Sequence, residues 1–464
     1  MEISPKLEPL GWPLIQLALV VVVGGIAPLI DTTVVNVALH TMAAQFRVSP
    51  SAIQWVSTAY LLALAATIPV TTWASARVGT KRTWIAGLVL FLVGSGMCAL
   101  SWSFGALVGF RVLQGVGAGV MLPLLQTILV RAAGPSRTAR VLTIVILVST
   151  IAPIAGPLVG GAIVSSGDWR WVFVINLPLC AAAIALAARF IQADPAKRNA
   201  RLDVVGVLLL SGGMTSLLYA LSNAASGGAD AATEIWLPLV MGVVLTGAFV
   251  VWSFRRGDAA AIPVRLFADR AFSAVSSVLF LTGLALYGAL FLIPLYFQEE
   301  RGANALDAGL ILALQGVGSL LTRWVGRVVD RIGARLIALI GIVLCAMATV
   351  PFAFATTHTS YLLLAAALVV RGGALSAVNI AITANAFVGL SREQVPAGSA
   401  IVRLIQQVGG SAGTALLATV LVGAGAVETL VGFHAAFAWS VALTTVALVP
   451  CALIPRRVRS VSTP

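Results

Sequence analysis

Fourteen long apolar runs joined by short polar stretches leave this chain few ways to fold. They lie at roughly 14–39, 51–74, 83–101, 104–130, 141–164, 170–190, 204–222, 235–254, 272–297, 308–326, 335–355, 361–388, 397–424 and 432–454. About 20 apolar residues, each rising about 1.5 Å along a helix, cross a hydrocarbon core about 30 Å thick. Hydrophobic residues make up 59% of the chain and charged residues only 10%, a balance no soluble domain carries. The chain reads as an all-α polytopic membrane protein.

Positive charge alternates from one connection to the next, as the positive-inside rule requires. One set of loops holds Arg77, Lys81 and Arg82, then Arg131, Arg137 and Arg140, then Arg189, Lys197, Arg198 and Arg201. The same side continues with Arg255, Arg256, Arg265 and Arg270, with Arg327, Arg331 and Arg335, and with Arg392. The opposite connections hold only Arg47, Arg170 and Arg301, among Glu299, Glu300, Asp307 and Glu428. Both termini are therefore expected in the cytoplasm, which requires an even number of spans. The net charge of +13 is scattered over short loops facing anionic lipid, so it does not mark a nucleic-acid-binding surface. No cleavable signal peptide is expected, because the first apolar run is too long and its leading tail is mildly acidic. Cys98, Cys180, Cys345 and Cys451 all fall inside apolar runs and read as small core hydrophobes.

The chain repeats at long range. Gly333, in the loop after the tenth run, lies 254 positions after Gly79, in the loop after the second. Arg371 lies 260 positions after Arg111, and each heads a Gly-rich stretch inside an apolar run. Two landmarks with nearly one offset imply a duplicated six-span unit. The expected division is a six-helix bundle over 1–192, a linker with two inserted transmembrane helices over 193–270, and a second six-helix bundle over 271–464. Parallel six-helix repeats with a site between them are the plan of a secondary transporter.

Asp31 is the one carboxylate placed deep in an apolar run. Burial favours the neutral carboxyl while a nearby cation favours the charged one, an opposition that suits a proton carrier. A packing role through hydrogen bonds to neighbouring helices is the plainer alternative. Arg111 is always charged and as costly to bury; satisfying carbonyls and Gln114 is its structural alternative. Arg371 and Arg403 are buried cations without an assigned step. Gly156 and Gly160 have the small-xxx-small spacing of close helix contact, and Pro157 beside them favours a kink.

These residues also form an ordered set of motifs: Asp31-Thr32-Thr33-Val34-Val35-Asn36 in span 1, Trp55-Val56-Ser57-Thr58-Ala59-Tyr60 in span 2, and Arg111-Val112-Leu113-Gln114-Gly115 in span 4. Span 5 contributes Gly156-Pro157-Leu158-Val159-Gly160-Gly161, and span 13 contributes Gln406-Gln407-Val408-Gly409-Gly410. On them the chain resembles the major facilitator superfamily, and within it the fourteen-helix drug:proton antiporters, over essentially its whole length. The resemblance implies that Arg111 faces the cavity near span 1 and sets when Asp31 releases its proton. It also implies that the Gly-Pro segment lies against a helix of the other half and guides rocking. The family's loop motif is degenerate in its first copy: Thr72 and Ala76 stand where Gly and Asp are usual, leaving Arg77, Gly79, Lys81 and Arg82. The second copy keeps Gly326, Asp330, Arg331, Gly333 and Arg335, so a cytoplasmic latch between the halves is either lost or shifted to Asp330.

Candidate cavity residues are Asn36, Trp55, Tyr60, Gln126, Tyr287, Phe291, Gln315, Asn379 and Gln407. No phosphate-binding loop is present, His40, His358 and His434 form no metal-spaced cluster, and no catalytic constellation appears. The expected protein is not an enzyme and needs no cofactor or metal. It is a monomeric, multi-pass, bacterial inner-membrane antiporter driven by the proton gradient, exporting hydrophobic or amphipathic drugs or antibiotics, cationic ones included. Export of one specific metabolite, or a non-transporting sensor or scaffold, are the alternative readings.

Overall fold

A computed structural model describes residues 11–48, 50–53, 55–134, 137–165, 168–194, 202–226, 232–257, 260–303, 305–322, 324–391, 393–424 and 429–455. Each of the apolar runs is helical, and no strand occurs among the described residues. With no water in hydrocarbon to bond an open backbone, a helix is the economical form for every such run. The elements are α1 (Trp12–Phe46), α2 (Pro50–Ile53), α3 (Trp55–Val78), α4 (Thr80–Ala99), α5 (Phe104–Ala133), α6 (Thr138–Ser165), α7 (Trp171–Val174), α8 (Asn176–Phe190) and α9 (Val204–Ser226). They continue with α10 (Leu237–Arg256), α11 (Arg270–Glu299), α12 (Ala305–Leu320), α13 (Val325–Ile332), α14 (Ala334–Ala353), α15 (Tyr361–Asn385), α16 (Val395–Ala424), α17 (Thr429–Val446) and α18 (Leu448–Leu453).

Among the described residues, twelve helical stretches are long and apolar enough to cross a membrane. Outside those twelve stand α6, with 28 residues, and the shorter apolar stretch Asp307–Leu320 of α12.

The helices pack in two matching patterns. In the first set α1 packs on α6, α3 on α5, α4 on α5 and α4 on α8. In the second, α11 packs on α16, α12 on α15, α14 on α15 and α14 on α17. The repeat is visible in the backbone too. Gly79 has φ 95° and ψ 149° where it opens α4, and Gly333 has φ 92° and ψ 150° where it opens α14. A side chain is strained in that conformation, which explains why glycine recurs at the same turn of each copy.

The two sets meet through α6 against α12 and α15, and through α16 against α3 and α5. At the end carrying the Arg-rich loops the contact is closed and apolar: Val130, Ala139 and Leu142 join Val275, Val329 and Ile380 in one buried cluster. There a Cβ at Gly326 would stand 2.9 Å from the Arg140 Cα and 3.0 Å from the Ala139 carbonyl, so α13 lies directly on the backbone of α6.

The inserted pair is not a detached appendage. Helix α9 packs on α3 and on α16, with α10 outside it. Ser211 Oγ donates to the Ala66 carbonyl at 2.6 Å, and the Tyr219 and Trp55 rings lie 5.8 Å apart. Asp203, buried just before α9, accepts from the Gly206 amide at 3.1 Å, the Trp252 indole at 2.9 Å and the Ala261 amide at 3.0 Å. One carboxylate thus caps α9 and ties it to α10 and to the strand of chain that leaves the insert.

Two substitutions test the repeated turn. Gly79→Ala and Gly333→Ala are each expected to cost roughly 1–2 kcal/mol, read as a lower unfolding midpoint in detergent. Equal stability to the native chain in both variants would contradict the strained-turn account.

Candidate functional site

Five helices of the first set converge on Asp31, which is 1% exposed. Arg111 of α5 forms an ion pair with Oδ2 through NH1. Oδ1 accepts from Gln114 Nε2 and from Asn176 Nδ2 of α8, each at 3.0 Å. Behind these amides, Ser95 Oγ of α4 accepts from Gln114 at 2.6 Å and from Asn176 at 3.2 Å. Arg111 is itself held: NH1 donates to Gln114 Oε1 at 2.8 Å, and Nε donates to the Val56 carbonyl of α3 at 2.9 Å. Its guanidinium carbon lies 4.1 Å from the centre of the Tyr60 ring, and the Tyr60 hydroxyl donates to the Pro28 carbonyl at 3.3 Å. Every described atom that bonds the Asp31 carboxylate is a donor.

Between the two sets of helices lies a cavity of about 560 Å³. Arg111 and Tyr60 form part of its wall, with Thr32, Thr33, Ser57 and Thr58 beside them, and Tyr287, Phe291, Arg403, Gln407 and Ser411 across from them. Asp31 does not line it; the acid stands behind Arg111. The cavity draws on α3, α5, α11 and α16 away from their Arg-rich ends, so it lies on the far side of the apolar seal formed by Val130, Val329 and Ile380.

Of the cavity residues expected from sequence, Tyr60, Tyr287, Phe291 and Gln407 line it. Four others lie elsewhere for identifiable reasons. Gln315 is buried, accepting from Arg371 NH1 at 2.8 Å. Asn379 donates to its own helix at the Leu375 carbonyl and accepts from Gln406. Gln126 is buried within α5, and Trp55 is exposed beside Tyr219. The side chains of Asn36, Pro157 and Asp330 lie outside the described residues, as does the packing of Gly161. Sequence reasoning gave neither Asn176, which falls within a family motif, nor Ser95 a role, because a polar residue in an apolar run carries no label saying which neighbour it serves.

Arg371 repeats the Arg111 position with different chemistry. It donates to Thr349 Oγ1 at 3.2 Å, to Gln315 and to the Ala285 carbonyl at 2.9 Å, with no carboxylate among its described partners.

The resemblance implies that the segment with Gly156 and Gly160 lies against the other half; the two glycines themselves pack on a helix of their own set. A Cβ at Gly156 would collide with the Thr33 side chain, and one at Gly160 would stand 3.1 Å from the Val34 carbonyl. Both glycines therefore face α1 of their own set, two to three residues beyond Asp31, while the same helix touches α12 and α15 of the other set. Gly115 similarly allows α5 to close on the Tyr60 backbone of α3.

The degenerate loop motif has a replacement acid that sequence did not reveal. Asp194, just past α8, accepts from the Thr80 amide at 2.7 Å and from its hydroxyl at 2.5 Å, with Arg131 at 3.5 Å. Lys81 also ties the loop to α8, donating to the Ala188 carbonyl at 2.7 Å. A carboxylate thus stands beside Gly79 although Ala76 supplies none. Arg77, Arg82 and Arg331 are exposed.

A profile of the Major Facilitator Superfamily matches residues 21–414, and the chain belongs to that family. A multidrug resistance protein B homolog of Mycobacterium tuberculosis is 34% identical over 411 residues, covering 88% of this chain and 76% of the relative. A putative multidrug resistance protein MdtD of Cronobacter sakazakii is 29% identical over 408 residues, covering 84% of this chain and 83% of the relative. The structure of the proton:xylose symporter XylE bound to 6-bromo-6-deoxy-D-glucose superposes with a TM-score of 0.64 over 95% of this chain and 96% of that one, at 15% identity, and shares the fold. The protein is thus a multi-pass membrane transporter of a family that carries small molecules.

The buried pair makes a stability prediction. Arg111→Gln strands the Asp31 charge and is expected to cost about 3–5 kcal/mol. Adding Asp31→Asn removes the stranded charge, so the double variant should be more stable than the Arg111→Gln single. Thermal unfolding in detergent measures both, and a double variant less stable than that single would contradict the ion-pair account.

Proposed function

We propose that this chain exports amphipathic small molecules, drugs or antibiotics among them, in exchange for protons across a bacterial inner membrane. The supporting observation is a cavity between two packed sets of helices whose wall includes Arg111, with the ion-paired Asp31 immediately behind it. The names of the relatives, multidrug resistance proteins, point the same way. In this reading the chain makes fourteen spans, α6 and α12 completing the count, with both termini cytoplasmic. The bundles are 1–192 and 271–464, joined through the inserted pair in 193–270. The closed Arg-rich end is then the cytoplasmic one, and the cavity belongs to an outward state.

Because Asp31 is outside the cavity lining, cargo and proton do not compete for the same atoms. Coupling runs through helix packing. Protonating Asp31 cancels the charge that holds Arg111, Gln114 and Asn176 together, and so loosens α1 against α5 and α8. Helix α1 is also the surface on which Gly156 and Gly160 of α6 rest, and α6 reaches the other bundle. The proton state of one acid is thereby linked to the contact that must break when the bundles rock, as a two-state element requires.

Asp31→Asn is expected to abolish pH-gradient-driven efflux of fluorescent amphiphiles from proteoliposomes, while gradient-independent exchange of the same compounds continues. Undiminished gradient-driven transport by this variant would remove Asp31 from the cycle. Gly156→Leu drives a side chain into Thr33 and is expected to stop both processes in a protein that still folds.

A further inference from the structure

The cavity carries a charge that no described residue neutralises. Two arginines line it, Arg111 and Arg403. Arg111 is matched by Asp31. Arg403, on α16, makes no hydrogen bond or ion pair with any described residue, and its Nε is buried without a partner. Among the described residues no Asp or Glu lines the cavity, and the tyrosines that do are Tyr60 and Tyr287. The rest of the Arg403 side chain is only partly buried and faces the cavity; a partly desolvated guanidinium with no described counter-charge is costly, and the cost falls when a ligand supplies the anion. Its planar fork fits carboxylate, sulfonate and phosphate groups with two parallel hydrogen bonds.

We propose that the cavity selects amphiphiles bearing one anionic group, which Arg403 binds, with the apolar body against Leu61, Leu218, Leu221, Leu290 and Phe291. Leu218 and Leu221 belong to α9, so the inserted pair supplies part of the substrate wall. This rests on the transport reading of the same cavity, and it narrows the substrate class from amphiphiles in general to acidic ones. Cationic drugs meet an uncompensated positive charge and are disfavoured. Charge alone would draw an anion and a proton into the protein together, so exchange of the two relies on the alternation of states rather than on repulsion within the site.

The test uses three compounds with one ring and different charge: 1-naphthylacetate, 1-naphthylethanol and 1-naphthylethylammonium. Binding is measured by calorimetry on the full chain in phosphatidylcholine nanodiscs, and efflux in proteoliposomes. The native protein is expected to bind the acetate at least about ten-fold more tightly than the ammonium compound, as one charge-assisted hydrogen-bonded pair allows. Arg403→Gln is expected to remove that preference and leave the alcohol unchanged, whereas Arg403→Lys retains part of it. Adding phosphatidylglycerol to the nanodiscs separates two sources of the anion. Competition with naphthylacetate that Arg403→Gln abolishes marks a lipid headgroup as the occupant, and its absence marks a free solute. Equal or tighter binding of the ammonium compound, or a preference that survives Arg403→Gln, overturns the proposal while transport stands. Arg403-dependent binding without efflux of any of the three would instead overturn the transport reading and leave the anion site.

Discussion

A carboxylate and a guanidinium buried together, with no described residue besides Gln114 and Asn176 bonding the acid, set the terms for the first bundle. Desolvating each ion costs several kcal/mol, and the pair survives because five helices bring partners to it. Asp31 comes from α1, Arg111 and Gln114 from α5, Asn176 from α8, Ser95 from α4, and the Val56 carbonyl from α3. Such a cluster contributes little net stability compared with a well-packed apolar core. In the proposed function its value is specificity: one proton added to Asp31 would change what five helices have in common.

The second bundle has the same architecture without the same switch. At the offset of the repeated glycine, 254 positions, Asp31 corresponds to Ala285 and Ser95 to Thr349. Both positions still serve the buried arginine, since Arg371 donates to the Ala285 carbonyl and to the Thr349 hydroxyl. The seats are preserved and the acid is gone. Among the described residues Arg371 is therefore held by neutral dipoles, and in the proposed function the proton-sensitive element lies in the first bundle.

The helical runs and the repeated Gly79 and Gly333 turns were legible in sequence, because each rests on a strong local signal, whereas the proximity of Asp31 to Arg111 was implied by the family resemblance. The cavity wall was only partly legible. A membrane helix is apolar on every side, so periodicity does not say whether Gln315 or Gln407 faces the centre; the first bonds Arg371 and the second lines the cavity. Asp194 was invisible for a different reason. It reaches Thr80 across 114 positions of chain, and nothing local to Ala76 announces that the missing acid arrives from elsewhere. The partner of Gly156 was likewise a matter of three-dimensional packing: the small-xxx-small spacing promised a close neighbour, and only the fold showed it to be Thr33 on the helix of Asp31.

The central claim is that the proton on Asp31 decides whether the Arg-rich ends of the bundles are closed. Spin labels on Ala132→Cys and Ile332→Cys, two exposed positions at that end of opposite bundles, report the separation directly, since the native cysteines are buried. With Asp31 present, pulsed electron resonance in liposomes should show a distance distribution that shifts as pH is lowered. With Asp31→Asn the distribution should be the same at every pH. A variant that follows the native shift would contradict the account.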